Sequence, residues 1–130
     1  MLIKANGIQI NYELSGKKKA PMVTLSHSLG SSLVMWDPQL RALEPHFQVL
    51  RYDIRGHGRS EASPGAYTLD LLAKDAIGLL DALGIEKVHW VGLSMGGMIG
   101  QGIALNHLSR LKSLALCDTA GVIPAEAQPL

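Results

Sequence analysis

Gly92-Leu93-Ser94-Met95-Gly96 is the stretch on which the reading of this chain turns. It follows the apolar run Val88-His89-Trp90-Val91 and leads into a second apolar run from Met98 to Leu108, so a tight turn between a buried strand and a helix is expected. Glycine two residues before and two after a serine is the spacing of a nucleophile elbow. The backbone there is so cramped that side chains at the two glycine positions would clash, and the bend lifts the serine hydroxyl above the carboxyl ends of the strands. It also places the next backbone N–H, that of Met95, at a helix N-terminus, where positive potential favours an oxyanion. Ser94 is therefore the candidate nucleophile, weighed against a serine in an ordinary glycine-rich turn.

Working outward, Leu2–Ala5 and Ile8–Leu14 flank Asn6-Gly7, the dipeptide that tolerates both positive φ angles of a type I′ hairpin turn. Gly16 to Pro21 reads as a surface loop. Met22–Ser26 and Phe47–Asp53 are β-prone runs, with a helical stretch between them whose Met35, Leu40 and Leu43 are plausible inward positions. Thr68 can cap a helix carrying Leu69, Leu72, Ala73, Ala76, Leu79, Leu80 and Leu83 at three- and four-residue spacings, with Gly84 as its stop. Val88–Val91 is a third buried strand, Met98–Leu108 a helix and Leu111–Cys117 a fourth strand. Gly121, Pro124 and Pro129 read as an exit loop. Regular alternation of strand and helix after the hairpin predicts an α/β fold with parallel strands and helices on both faces.

A second candidate element is His27-Ser28-Leu29-Gly30, directly after the Met22–Ser26 strand. In folds of this type that turn supplies the other oxyanion N–H, here that of Leu29. His27 reads as a structural hydrogen-bonding residue, His57 as a loop anchor, and His46, His89 and His107 as structural singletons. Arg55-Gly56-His57-Gly58-Arg59-Ser60 lacks the Gly-Lys-Ser/Thr ending of a phosphate loop and opens no helix. Asp53 and Asp118 end strands, where functional side chains gather; Ser28 and Asp118 are the candidate substrate-lining groups. Arg51 and Arg55 are available to hold a substrate carboxylate.

Composition narrows the classes further. At 130 residues the chain has room for one domain, and 47% hydrophobic residues exclude a disordered tail. Twelve Lys and Arg against eleven Asp and Glu leave a net charge of +1, which offers no footprint for nucleic acid or an acidic membrane surface. Val88 to Ser109 lacks charged residues over a membrane-spanning length, yet its five glycines fit a strand, a turn and a helix better than one span. Cys117 is the single cysteine, so no intrachain disulfide or thiolate zinc cluster is expected. The sequence calls for no cofactor or metal, and the expected setting is the cytoplasm.

The order of these motifs, with Tyr52-Asp53-Ile54-Arg55-Gly56-His57-Gly58-Arg59-Ser60 between turn and elbow, resembles the α/β-hydrolase superfamily. Ser28-Leu29-Gly30 with Met35-Trp36-Asp37-Pro38-Gln39, together with Leu116-Cys117-Asp118-Thr119-Ala120, looks most like the 3-oxoadipate enol-lactonases of aromatic catabolism. His27 stands where that subgroup carries asparagine. The resemblance implies a serine attacking a lactone or ester, with Leu29 and Met95 as oxyanion donors. It also implies an acid and then a histidine after the serine. His107 is the one histidine after Ser94, and about 18 Å of helix would separate them. The expectation is thus an amino-terminal half of the hydrolase core over residues 1–119, with 120–130 leading toward a cap. A complementary carboxyl-terminal fragment would supply cap, acid and histidine. A generic carboxylesterase, a cofactor-free perhydrolase and a non-catalytic ligand sensor are the competing readings.

Overall fold

The computed structural model describes residues 1–121; the expected exit-loop prolines Pro124 and Pro129 lie outside the described residues. The hairpin forms as its turn chemistry requires. Strands β1 (Leu2–Ala5) and β2 (Ile8–Gly16) pair antiparallel, and Asn6 and Gly7 take φ of 48° and 82°. Strand β3 is Met22–Ser26, β4 Gln48–Tyr52, β5 Val88–Leu93 and β6 Leu111–Cys117. They build one six-stranded sheet in the order β1-β2-β4-β3-β5-β6. β2 meets β4 antiparallel, whereas β4, β3, β5 and β6 run parallel.

Period-two alternation along the central strands divides the core between two faces. Leu50, Tyr52, Val88 and Trp90 point to the larger cluster, under α2 (Leu69–Ala82) and α3 (Met95–Asn106). Val49, Val23 and Leu25 point to the other, under Trp36 and α1 (Asp37–Leu43), where Met35, Leu40 and Leu43 pack. Thr68 accepts the Leu71 N–H at 3.0 Å to cap α2, and Gly84 follows it at φ 69°. Leu72, Ala73, Ala76, Leu79 and Leu80 are buried along it. Leu69 differs from its expected inward place: it sits on the first turn, in a groove beside Met98 and Leu105, and stays 39% exposed.

Helix α3 begins at Met95, three residues before the expected Met98, because the elbow feeds straight into it. Its glycines bring the helix close to the sheet. A Cβ on Gly100 would lie 2.7 Å from both Leu114 and Trp90 side-chain carbons. His107 caps its far end. The uncharged stretch 88–109 is thus shared between β5, the bend and α3, and among the described residues no helix is long and apolar enough to cross a membrane. β6 forms one edge of the sheet, opposite β1, with Leu116 exposed.

Candidate active site

Ser94 stands between the end of β5 and the first turn of α3 with φ 53° and ψ −113°, a conformation an L-residue holds only under constraint. The constraint is visible at both ends of the residue. Its N–H donates to the Cys117 carbonyl at 2.9 Å. Its carbonyl accepts from Gly97 N–H at 3.0 Å, Met98 N–H at 3.1 Å and the Thr119 hydroxyl at 2.7 Å. Gly92 and Gly96 meet the steric demand of the bend. A Cβ on Gly92 would overlap the Gly96 carbonyl, and one on Gly96 would overlap the Ser26 carbonyl. Trp90, buried beneath, donates its indole N–H to the Gly96 carbonyl at 3.1 Å.

Met95 is the first helical residue after this bend, and among the described residues its N–H has no acceptor, as befits the open end of a helix. The close approach of Gly96 to Ser26 sets the end of β3 beside the same helix turn. From there the chain enters Ser28-Leu29-Gly30-Ser31, a turn closed by Ser31 N–H to the Ser28 carbonyl at 3.2 Å, with Gly30 at φ 74°. Leu29 occupies the second position of that turn, its side chain exposed and its N–H without an acceptor among the described residues. Ser28 is half-buried, its hydroxyl 3.9 Å from the Met35 sulfur. Asp118 is exposed at φ 42°, next in the chain to the Cys117 carbonyl that holds Ser94.

His27 is fully buried. Its Nε2 accepts the Ile54 N–H at 2.9 Å, so its Nδ1 carries the proton and donates to the Ser28 carbonyl at 2.8 Å. Burial, with His57 nearby, holds its pKa below 6.5, against weaker opposing effects of Ser28 and Asp53. His57 bonds the Arg55 carbonyl through Nδ1 at 3.1 Å, and its ring lies 5.1 Å from that of His27. His89 meets the Ser113 hydroxyl at 2.7 Å. His46 is exposed and His107 caps the remote end of α3. Among the described residues no histidine hydrogen-bonds to Ser94.

Three candidates read from the sequence are occupied elsewhere. Asp53 is buried, and its carboxylate accepts from the Asn11 amide at 2.9 Å, Leu33 N–H at 2.8 Å and Arg59 N–H at 2.9 Å, which ties strand β2, the turn before α1 and the loop after β4 together. Arg55 is engaged with Asp75 and Ser63 through all three guanidinium nitrogens, and Arg51 gives one terminal nitrogen to Asp37 and the Leu33 carbonyl while its buried Nε has no partner among the described residues. Asn11 and Ser60, which complete the Asp53 network, and Thr119, which holds the Ser94 carbonyl, were not singled out by any local pattern. Their partners are 42, 49 and 25 residues away in sequence. Among the described residues, a crevice of about 470 Å³ lies among Lys19, Lys87 and Lys112 and another of about 230 Å³ between α2 and α3, and Ser94 lines neither of them.

A strained serine between a parallel strand and a helix, on a sheet of this strand order, defines a class that family comparison identifies. Residues 21–130 match the alpha/beta hydrolase fold, and the chain belongs to that family. It is 36% identical over 126 residues to 3-oxoadipate enol-lactonase 1 of Acinetobacter baylyi, covering 97% of this chain and 47% of the relative. A protein named as a carbamate hydrolase in Caulobacter segnis is 43% identical over 84% of this chain and 42% of its own length. Among solved structures, the enol-lactonase from Burkholderia xenovorans superposes with a TM-score of 0.93 at 46% identity, covering 95% of this chain and 48% of that one. An esterase from Thermogutta terrifontis gives 0.90 at 32%, covering 96% and 48%. The chain spans about half the length of the curated relatives it matches.

Proposed function

We propose that this chain carries the nucleophile and oxyanion hole of a serine hydrolase that opens a small lactone or ester, with 3-oxoadipate enol-lactone as the favoured substrate. The observation that carries the reading is the backbone of Ser94, held at φ 53° and ψ −113° where a strand runs into a helix whose first N–H has no acceptor among the described residues. In the reaction the Ser94 Oγ attacks the carbonyl carbon and a histidine takes its proton. The developing oxyanion is received by the N–H groups of Leu29 and Met95. The C–O bond of the lactone breaks, the histidine protonates the leaving oxygen, and an acyl-serine forms. Water activated by the same histidine then releases the acid and restores Ser94.

The histidine and its acid come, in this proposal, from polypeptide corresponding to the remaining half of the longer relatives. With base and acid absent, turnover falls by about 10⁶. Residues 1–119 form the core half, and 120–130 lead toward the cap that shapes the substrate pocket. Ser28 and Asp118 line that pocket. A place in aromatic catabolism in the cytoplasm follows from the lactone substrate and suits an unpaired Cys117. The relative named as a carbamate hydrolase and the solved esterase favour a second reading, a broader acyl hydrolase on the same nucleophile.

The test uses the assembled protein, this chain with the polypeptide that carries the histidine. Intact mass of the native sample shows whether that polypeptide is a separate molecule; a soluble, folded species of 13.9 kDa alone removes the need for a complement. A fluorophosphonate is expected to label Ser94 and to leave Ser94→Ala untouched. Faster turnover of the enol-lactone than of p-nitrophenyl acetate supports the lactonase, and the reverse order supports the esterase. Absence of both labelling and turnover sinks the hydrolase and leaves a ligand sensor.

A further inference from the structure

Each peptide group proposed above as an oxyanion donor is gripped at its other end by a side chain. A peptide is planar, so whatever fixes the carbonyl of one residue also fixes the N–H of the next. For Met95 that carbonyl belongs to Ser94, and it takes the Thr119 hydroxyl at 2.7 Å. For Leu29 it belongs to Ser28, and it takes the His27 Nδ1–H at 2.8 Å. Both side chains are themselves held. His27 is fully buried with its other nitrogen on Ile54 N–H, and Thr119 packs so tightly on the helix that a Cβ on Gly97 would lie 2.8 Å from it.

We propose that Thr119 and His27 are a matched pair of positioning residues for the oxyanion hole, one for each donor peptide. The proposal rests on the reading of Leu29 and Met95 as those donors. Each side chain adds the last fixed donor to a carbonyl that also takes backbone N–H groups, Gly97 and Met98 on Ser94 and Ser31 on Ser28, and so locks the tilt of its peptide plane. Each also draws electron density toward the carbonyl oxygen, which makes the N–H on the far side a stronger donor. Neither residue touches substrate. Their effect therefore falls on the transition state, where the oxyanion exists, and spares ground-state binding.

Fluorophosphonate labelling of Ser94 in the assembled protein tests this, read as a maximal rate per reactive site and a half-saturating concentration. Thr119→Val keeps the side chain's shape and removes its hydroxyl. We expect its maximal rate to fall about tenfold at unchanged half-saturation, and Thr119→Ser to recover to within about threefold. His27→Leu is expected to show the same loss, and His27→Asn, whose amide N–H sits where Nδ1 was, to recover much of it. A merely structural role would instead lower the number of reactive sites at an unchanged rate per site, and that result overturns the proposal. So does a wild-type maximal rate in Thr119→Val. If His27→Leu does not fold, the Thr119 variants decide alone. If the unaltered protein fails to label at Ser94, the nucleophile reading falls first and this proposal with it.

Discussion

Arg55 holds Asp75 through two hydrogen bonds of 2.7 Å, Nε to one carboxylate oxygen and a terminal nitrogen to the other, with both side chains more than nine-tenths buried. Asn6, from the hairpin turn, donates to the same carboxylate at 2.8 Å, and Ser63 takes the remaining guanidinium nitrogen at 2.7 Å. One ion pair thus fastens the hairpin, α2 and the loop after β4. Its location explains why an arginine near the ends of the strands has no part in the site.

Breaking that pair from one side is expected to cost stability. Arg55→Met leaves a buried carboxylate with Asn6 as its remaining donor, and a loss of about 3–5 kcal/mol is expected in urea unfolding of the assembled protein. The double change Arg55→Met with Asp75→Leu is expected to regain most of it. A single variant as stable as the parent would contradict the pairing.

Asp53 is expected to behave as a structural anion. Asp53→Ala strips acceptors from the Asn11 amide and from the N–H groups of Leu33 and Arg59, and a destabilisation of about 3 kcal/mol or more is expected. The labelling rate per folded molecule should stay near that of the parent. A selective loss of reactivity with stability intact would return Asp53 to the chemistry.

Two glycines of α3 are expected to respond to alanine with opposite signs. At Gly96 a Cβ overlaps the Ser26 carbonyl, so Gly96→Ala should destabilise by about 1–3 kcal/mol or more. At Gly102 the nearest atom is the Ala73 Cβ at 3.4 Å, an ordinary contact, so Gly102→Ala should stabilise by up to about 1 kcal/mol. Equal midpoints in denaturant would refute the crowding at the bend.

His27 predicts an acid-side weakness. Its folded pKa lies below its unfolded value of 6.5, first because it is buried, so the unfolded chain takes up the proton more readily. Its contribution to stability is complete above pH 6.5 and declines as pH falls below that, by at most about 1.4 kcal/mol per pH unit until the folded pKa is reached. The groups facing it are His57 and Asp53. Unfolding midpoints between pH 7 and 5 should fall more steeply for the parent than for His27→Asn, and parallel curves would dismiss the effect.

Much of this architecture is local and therefore readable along the chain. Asn6-Gly7 announces its hairpin by its own backbone freedom, Thr68 and Gly84 bracket α2, and the glycines two residues either side of Ser94 state how closely the chain must fold on itself. Such features depend on neighbours within a few residues, where residue type and spacing are the physics. The elbow moved one boundary: α3 starts at Met95 rather than Met98 because the bend feeds directly into its first turn, which apolar periodicity alone does not signal.

Tertiary structure decided which polar groups are free and which are spent. Asp53, Arg51 and Arg55 looked available beside strand ends, yet each is bound to residues brought near by sheet pairing or loop packing. Thr119 appeared as no more than part of a family-like segment, and its hydroxyl reaches the Ser94 carbonyl because β6 lies parallel beside β5. The reason is one of range. Turn geometry is settled within a few bonds, whereas the partner of a buried charge or a lone hydroxyl is set by how strands register across the sheet, information that no short window of sequence contains.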